Sequence, residues 1–210
     1  MTDHTGIFPS QAIRELIDQG AITASVPING EMVQPASLDL RLGATAYRVQ
    51  ASFLPGPETT VEEKIRQFGM HAVDLTNGAV LEKDCVYVVP LLESLALPDG
   101  ISAFANPKSS TGRLDVFTRL ISDYGTRFDL VREGYAGPLY AEVSPRAFSI
   151  FVRMGATLTQ LRLRRGQAAI DADALWRLHE EFGLVDCELD RGEVREHASI
   201  SLKLDLGGDA

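Results

Sequence analysis

The chain has 210 residues, which allows one large or two small domains and a substantial core without disulfide staples. With 45% hydrophobic and 23% charged residues it has the composition of a folded globular protein, which excludes a disordered or fibrous one. A formal charge of −9 excludes broad binding to a nucleic-acid polymer, which requires a large basic surface.

The opening "MTDHTGIFPS" has no basic segment followed by an apolar one, so it does not read as an export leader. "PSQAIRELIDQGAI" predicts a short helix with Ser10 as N-cap, Ile13, Leu16 and Ile17 on one apolar face, and Gly20 as the stop. "ASLDLRLGATAYRV" alternates, with Leu38, Leu40 and Leu42 pointing one way and Asp39 and Arg41 the other, as in a half-buried strand. "FLPGPETTVEEKIRQFG" reads as a loop with two prolines that leads into one or two helical turns, an interruption that could act as a flap. From Ala72 onward, short β-prone runs are separated by turn residues: "AVDLT", "CVYVVPL", "SLALP", "ISAFA", "DVFTRLIS", "GPLYAEVS", "FSIFVRMG" and "TLTQLRLR". Such a series with little helix predicts a mostly β protein, a sandwich or jelly-roll. The most apolar stretch, "CVYVVPLL", is too short to span a bilayer and holds a proline, so no membrane association is expected. "DADALWRLHEEFG" predicts a late helix that buries Leu175, Leu178 and Phe182. The closing "ISLKLDLGGD" echoes "ASLDLRLGAT". One domain is therefore expected over 1–198, with 199–210 as the start of a second repeat or a tail.

Cys85 and Cys187 stand about a hundred residues apart, giving neither a disulfide framework nor metal-ligand spacing. They read as two reduced thiols of a cytoplasmic protein. Charge is unevenly spread: Lys108 to Arg165 holds ten Lys/Arg and five Asp/Glu, a net of +5 in an acidic chain. Such asymmetry points to a local site for a small anion, although strand-edge arginines also serve solubility. Within it, "NPKSSTGRLD" sets two serines between a lysine and an arginine. Lys108, Ser109, Ser110 and Arg113 are either a solvated loop feeding a strand or an anion cradle of hydroxyl donors and a guanidinium fork.

"QPASLDLRLG", "KSSTGRLDVF", "GYAGPLYAEVS" and "GATLTQLRL" follow one another in the order found in the dCTP deaminase and dUTPase superfamily. The resemblance spans roughly Phe8 to Leu163 and is strongest to the deaminase branch, in particular to the first half of the longer bacterial enzymes that carry two related halves. It implies a distorted β jelly-roll of the dUTPase-like β-clip type, with a short N-terminal helix and a late helix. It also implies a homo-oligomer, a trimer or pseudo-trimer, with dCTP or dUTP bound between subunits. The serine-rich motif becomes the triphosphate and sugar cradle. Glu142 takes the position of the catalytic glutamate, where dUTPases have an apolar residue. By the same resemblance Ser109 and Arg113 are catalytic, and Lys108, Ser110, Ser122, Asp129, Tyr135 and Gln160 bind substrate.

Deamination adds water to C4 of cytosine, so one group must take a proton from water and return it to the departing ammonia. A carboxylate partly shielded from solvent can do both. On the bare sequence, without the resemblance, Glu142 reads rather as a solvent-facing strand glutamate. A zinc deaminase requires H-x-E followed by P-C-x-x-C, and His4, His71, His179 and His197 stand in no such context. No zinc is therefore expected, and Mg²⁺ is expected only through the nucleotide triphosphate. The segment that reads "IDPGW" in the single-copy enzymes is "FDLVREGYAG" here, two residues longer, which blurs the register of Asp129 and Tyr135. Three functions stay open: conversion of dCTP to dUTP and ammonia, a dUTP pyrophosphatase or bifunctional dCTP-to-dUMP enzyme, and a nucleotide-binding half that needs a partner half.

Overall fold

A computed structural model describes residues 5–166 and 170–200, without the side chains of Glu193 and His197. In chain order the elements are β1 (Gly6–Ile7), α1 (Ser10–Asp18), β2 (Ile22–Ala24), β3 (Val33–Gln34), β4 (Ser37–Arg41), β5 (Thr45–Val49), α2 (Val61–Phe68), β6 (Gly69–Asp74), β7 (Ala79–Leu81) and β8 (Val86–Ala96). They continue with β9 (Ile101–Pro107), α3 (Ser109–Arg113), β10 (Val116–Ser122), β11 (Leu130–Val131), β12 (Ala136–Pro145), β13 (Ile150–Val152), β14 (Thr157–Arg165), α4 (Ala172–Phe182) and α5 (Arg191–His197). The class is the expected one: mostly β, a distorted jelly-roll with a helix toward each end.

Two antiparallel sheets carry the fold. One runs β11-β9-β14-β4-β3, with β1 on β14; the other runs β10-β12-β8-β5-β6, with β2 on β8. Alternate residues of each sheet meet in the main core: Leu38, Leu40, Ala103, Leu161 and Leu163 from the first, and Val89, Leu120, Leu139, Ala141 and Val143 from the second. A smaller core lies on the other face of the second sheet, where Val61 and Ile65 of α2 cover Val49, Val88, Ile121 and Tyr140. The two-proline segment thus becomes a fixed layer. A capping box between Thr60 and Glu63 starts α2. The Val61 N–H donates to Asp123 (2.8 Å), the Tyr124 N–H to the Thr59 carbonyl (3.1 Å) and the Gly56 N–H to the Gly125 carbonyl (3.1 Å).

Four local expectations change. Pro9 rather than Ser10 is the N-cap of α1, and the Ser10 hydroxyl turns to Gln11 (3.4 Å). The strand expected to be half-buried is buried on both faces, because Asp39 pairs with Lys108 and Arg41 with Glu93. "CVYVVPL" and "SLALP" merge into β8; Pro90 is tolerated there because the β5 ladder stops at Val88. No residue of α4 is buried: Leu178 is 36% and Phe182 65% exposed, and among the described residues of its own unit α5 is the one element packed beside it. Contacts divide the chain into Met1–Gln167 and Ala168–Ala210, a boundary ahead of residue 198. In the second unit, Arg195 pairs with Asp173 (3.6 Å) and Arg191 lies over the Trp176 ring (5.2 Å). The echo beginning at Ile200 lies outside the described residues from 201 onward. Among the described residues no helix is long and apolar enough to cross a membrane.

Candidate active site

The site is built on the β10–β12 ladder, which sets Arg119 directly opposite Glu142. Leu139, Ala141 and Val143 point into the main core, so Tyr140 and Glu142 point to the face covered by α2 and its preceding loop. Glu142 is only 1% exposed. That burial overturns the solvent-facing reading of this glutamate, because an ionised carboxylate is rarely buried without a partner. The partner is Arg119, which donates to Oε1 through Nε (3.1 Å) and Nη2 (2.6 Å). Oε2 is buried too and has no hydrogen-bond partner among the described residues. The guanidinium lies 3.5 Å over the Phe128 ring and 4.8 Å from the Phe117 ring, and Nη2 also donates to the Ser52 hydroxyl (2.7 Å).

Arg119 also lines an open cleft of about 410 Å³, together with Pro107, Gly112, Val116, Phe117, Thr118 and Asp129. One end of this cleft is therefore α3, and the other is the Arg119–Asp129 corner. Asp129 takes a left-handed conformation (φ 60°) that lets its carboxylate accept the Leu120 N–H (2.7 Å). Burial pushes the Asp129 carboxyl above its ordinary range; the Leu120 N–H and the Arg119 charge oppose that, while Glu142 adds to it.

At the α3 end, Ser109–Arg113 of "NPKSSTGRLD" form a short helix rather than a loop. Ser109, Ser110 and Arg113 are exposed and have no side-chain partner among the described residues. Three donor-bearing side chains free on one turn are what an anion cradle needs. Lys108 differs: its ammonium is paired with Asp39 and donates to the Thr157 hydroxyl (3.2 Å). Asp39 is 5% exposed, and its second oxygen, Oδ1, has no partner among the described residues. Gln160, opposite Asp39 and Asn106 in the sheet, accepts a hydrogen bond from Ser37 (2.9 Å). Lys108 and Gln160 thus stand together beside the cradle, on a polar face of the first sheet.

Two sequence candidates are placed elsewhere. Ser122 is buried and follows Leu120 on the core-facing side of β10, opposite to the Arg119 side. Tyr135 is fully buried; its hydroxyl donates to the Pro138 carbonyl (2.6 Å) and accepts the Asp123 N–H (3.1 Å). Burial pushes that phenol up to about 12, as suits a group fastening a loop.

Residues 4–167 match the family model described as the N-terminal domain of 2'-deoxycytidine 5'-triphosphate deaminase. The chain belongs to this family. A solved dCTP deaminase from Agrobacterium tumefaciens is 52% identical with a TM-score of 0.83, covering 89% of this chain and 56% of that one. A dUMP-forming dCTP deaminase of Persephonella marina is 30% identical over 116 residues, 53% of this chain and 60% of the relative. Another, from Coprothermobacter proteolyticus, is 26% identical over 132 residues, 63% and 67% of the two chains. The chain thus spans little more than half the length of the Agrobacterium enzyme and about 60% of the Persephonella relative. Within the deaminase domain the residue that sequence reasoning missed is Arg119. Its signal was faint: an arginine flanked by "VFT" and "LIS" in a strand that otherwise reads as apolar and β-branched.

Proposed function

We propose that the protein removes the 4-amino group of dCTP, with Glu142 as the proton carrier. The observation that supports this best is a carboxylate withdrawn from solvent and held by an arginine that also lines the cleft leading to α3. The triphosphate lies against Ser109, Ser110 and Arg113, with Lys108 adding charge and Gln160 beside it. The pyrimidine lies toward Arg119 and Asp129. Glu142 takes a proton from water as the oxygen bonds to C4, giving a tetrahedral carbon. That proton passes to the amino nitrogen, the C4–N bond breaks with its electron pair on nitrogen, and the C4 hydroxyl gives its proton to N3, which had received the C4=N3 π pair during attack and returned it as ammonia left, to leave a carbonyl. Water and dCTP become dUTP and ammonia. Mg²⁺ would be held by the triphosphate oxygens, since the side chains free at the cradle are hydroxyls and a guanidinium, and it would supply charge neutralisation there.

A second reading, in which the same site carries the product on to dUMP and pyrophosphate, has the dUMP-forming names of the relatives in its favour. A trimeric or pseudo-trimeric assembly belongs to the proposal as well, supported by Leu114 and Phe117, 52% and 48% exposed beside the cleft. A monomeric mass by light scattering would remove it. The deciding experiment incubates the intact protein and its Glu142→Gln variant with dCTP and separates dUTP, dUMP and ammonia. Gln keeps the shape but cannot accept the proton, so turnover should fall by about 10²–10⁴-fold while dCTP binding by calorimetry persists. Retained turnover removes Glu142 from the mechanism. Turnover and binding lost together would instead mark it as a structural residue.

A further inference from the structure

We infer that Arg119 is the residue that positions Glu142 for proton transfer, leaving Oε2 as the oxygen that takes the proton; this rests on the deaminase reading above. The geometry differs from that of an ordinary Arg–carboxylate pair. In a fork-to-fork pair each carboxylate oxygen receives one N–H, and both are committed. Here Nε and Nη2 converge on Oε1, at 3.1 and 2.6 Å, and Oε2 stays open in a site where both oxygens are out of solvent. One oxygen is anchored and its neighbour keeps its lone pairs for water or the leaving amine.

The anchor is itself immobilised. Phe128 lies against the guanidinium at 3.5 Å, Phe117 at 4.8 Å, and Ser52 accepts from Nη2 at 2.7 Å. Cation–π contacts of this kind strengthen as the charge is desolvated, and the Arg119 side chain is only 23% exposed. Ser52 belongs to the loop before α2, which is tied to Asp123, Tyr124 and Gly125. Ser52, immediately before the segment that looked like an interruption of the β pattern, thus helps to hold the guanidinium. A guanidinium offers donors and no acceptor, so Arg119 cannot take the water proton and is no rival to Glu142 as the proton carrier. Its part is to fix which carboxylate oxygen faces the reacting carbon.

The test uses the intact protein with dCTP. A misplacement of about 1 Å at a reacting group lowers the rate by about 10²-fold, so Arg119→Ala should reduce kcat by about that factor with KM within about threefold. Millimolar methylguanidinium should restore at least about tenfold of the loss by refilling the slot between the two rings. Phe128→Leu, which keeps the charge but removes its nearest ring, should give a smaller fall in kcat that the additive does not repair. Combined with Glu142→Gln, Arg119→Ala should lower turnover no further, because the group it positions no longer carries a proton. Unchanged kcat in Arg119→Ala overturns the inference. So does a rise in KM at constant kcat, which would make Arg119 a substrate-binding residue. A loss without rescue, accompanied by a lowered Tm, overturns it in favour of a structural ion pair. A wild-type protein that leaves dCTP unchanged, or a Glu142→Gln variant that keeps turnover, removes the deaminase reading and this inference with it.

Discussion

Replacing Glu93 by alanine probes how the polar face of β4 supports the cradle. Glu93 is 1% exposed; it accepts the Arg41 backbone N–H (2.8 Å) and the Arg41 Nε (2.7 Å). The same guanidinium donates to the carbonyls of Pro27 (3.0 Å) and Val26 (2.6 Å), so one arginine joins β4, β8 and the loop after β2. Truncation leaves a guanidinium with an 8% exposed side chain without its counter-charge and a buried backbone N–H without an acceptor. Breaking a buried pair from one side costs about 3–5 kcal/mol, mostly the penalty of the stranded charge. With a urea m-value of about 2 kcal/mol per M, a loss of about 4 kcal/mol moves the unfolding midpoint down by about 2 M. Glu93→Gln keeps one acceptor oxygen and should lose less, about 1–3 kcal/mol. Equilibrium urea unfolding followed by fluorescence and circular dichroism together is the assay, since coincident curves license the conversion to free energy. A Glu93→Ala protein within about 1 kcal/mol of wild type would refute the reasoning and leave the Arg41–Glu93 pair without energetic weight.

Two other substitutions separate the cradle from its supports. Arg113 is exposed and has no partner among the described residues, so Arg113→Lys should leave Tm unchanged. It should nevertheless weaken dCTP binding by about ten- to a hundredfold, because a point charge does not replace a guanidinium fork; unchanged affinity by calorimetry returns the motif to a solvated surface turn. At Asp123, burial first, and then repulsion from Glu62 and Glu63, hold the carboxyl above its ordinary range, although the Val61 N–H opposes the shift. Stability from a raised carboxyl is fully present below the unfolded value, near about 3.9, and is lost as pH rises through the folded one. Asp123→Asn keeps an acceptor for the Val61 N–H without the charge, so it should raise Tm at neutral pH and converge with wild type toward about pH 3. An unchanged or lower Tm at neutral pH would count against that sign.

Much of the fold was legible because period-2 alternation survives wherever one face of a strand meets the main core. Leu38, Leu40 and Leu42 are examples, and so are Leu139, Ala141 and Val143. The alternation misled where a second layer covers the other face. Asp39, Arg41 and Glu142 occupy positions that the pattern assigns to solvent, yet all three are buried. The layer packed on Tyr140, on the Glu142 side of the strand, includes Val61 and Ile65, more than seventy positions upstream, and no local window contains that information. That "CVYVVPL" and "SLALP" merge into one strand through Pro90 depends on which neighbour stops pairing beside it, a property of the sheet and not of the run.

The site divides along the same line. Ser109, Ser110 and Arg113, exposed and unpaired among the described residues, were picked out from a short motif, because the proposed anion cradle is local. Residues whose role depends on a partner were recoverable only where the partner could be guessed. The Arg119–Glu142 pair needs the register of β10 against β12, and that register is set by the turn between them, where Asp129 sits in a left-handed conformation and Tyr135 fastens the Asp123 and Pro138 backbones. Two extra residues in that turn obscured the register in the sequence. In the structure the turn delivers Asp129 beside Arg119 and carries Phe128 to the face of its guanidinium. The turn whose register was blurred in the sequence therefore also supplies the ring that packs on the Arg119 guanidinium. The proposed proton carrier, Glu142, could be named from a strand pattern and a family motif, but the arginine opposite it follows only from how the strand before the turn is matched to the strand after it.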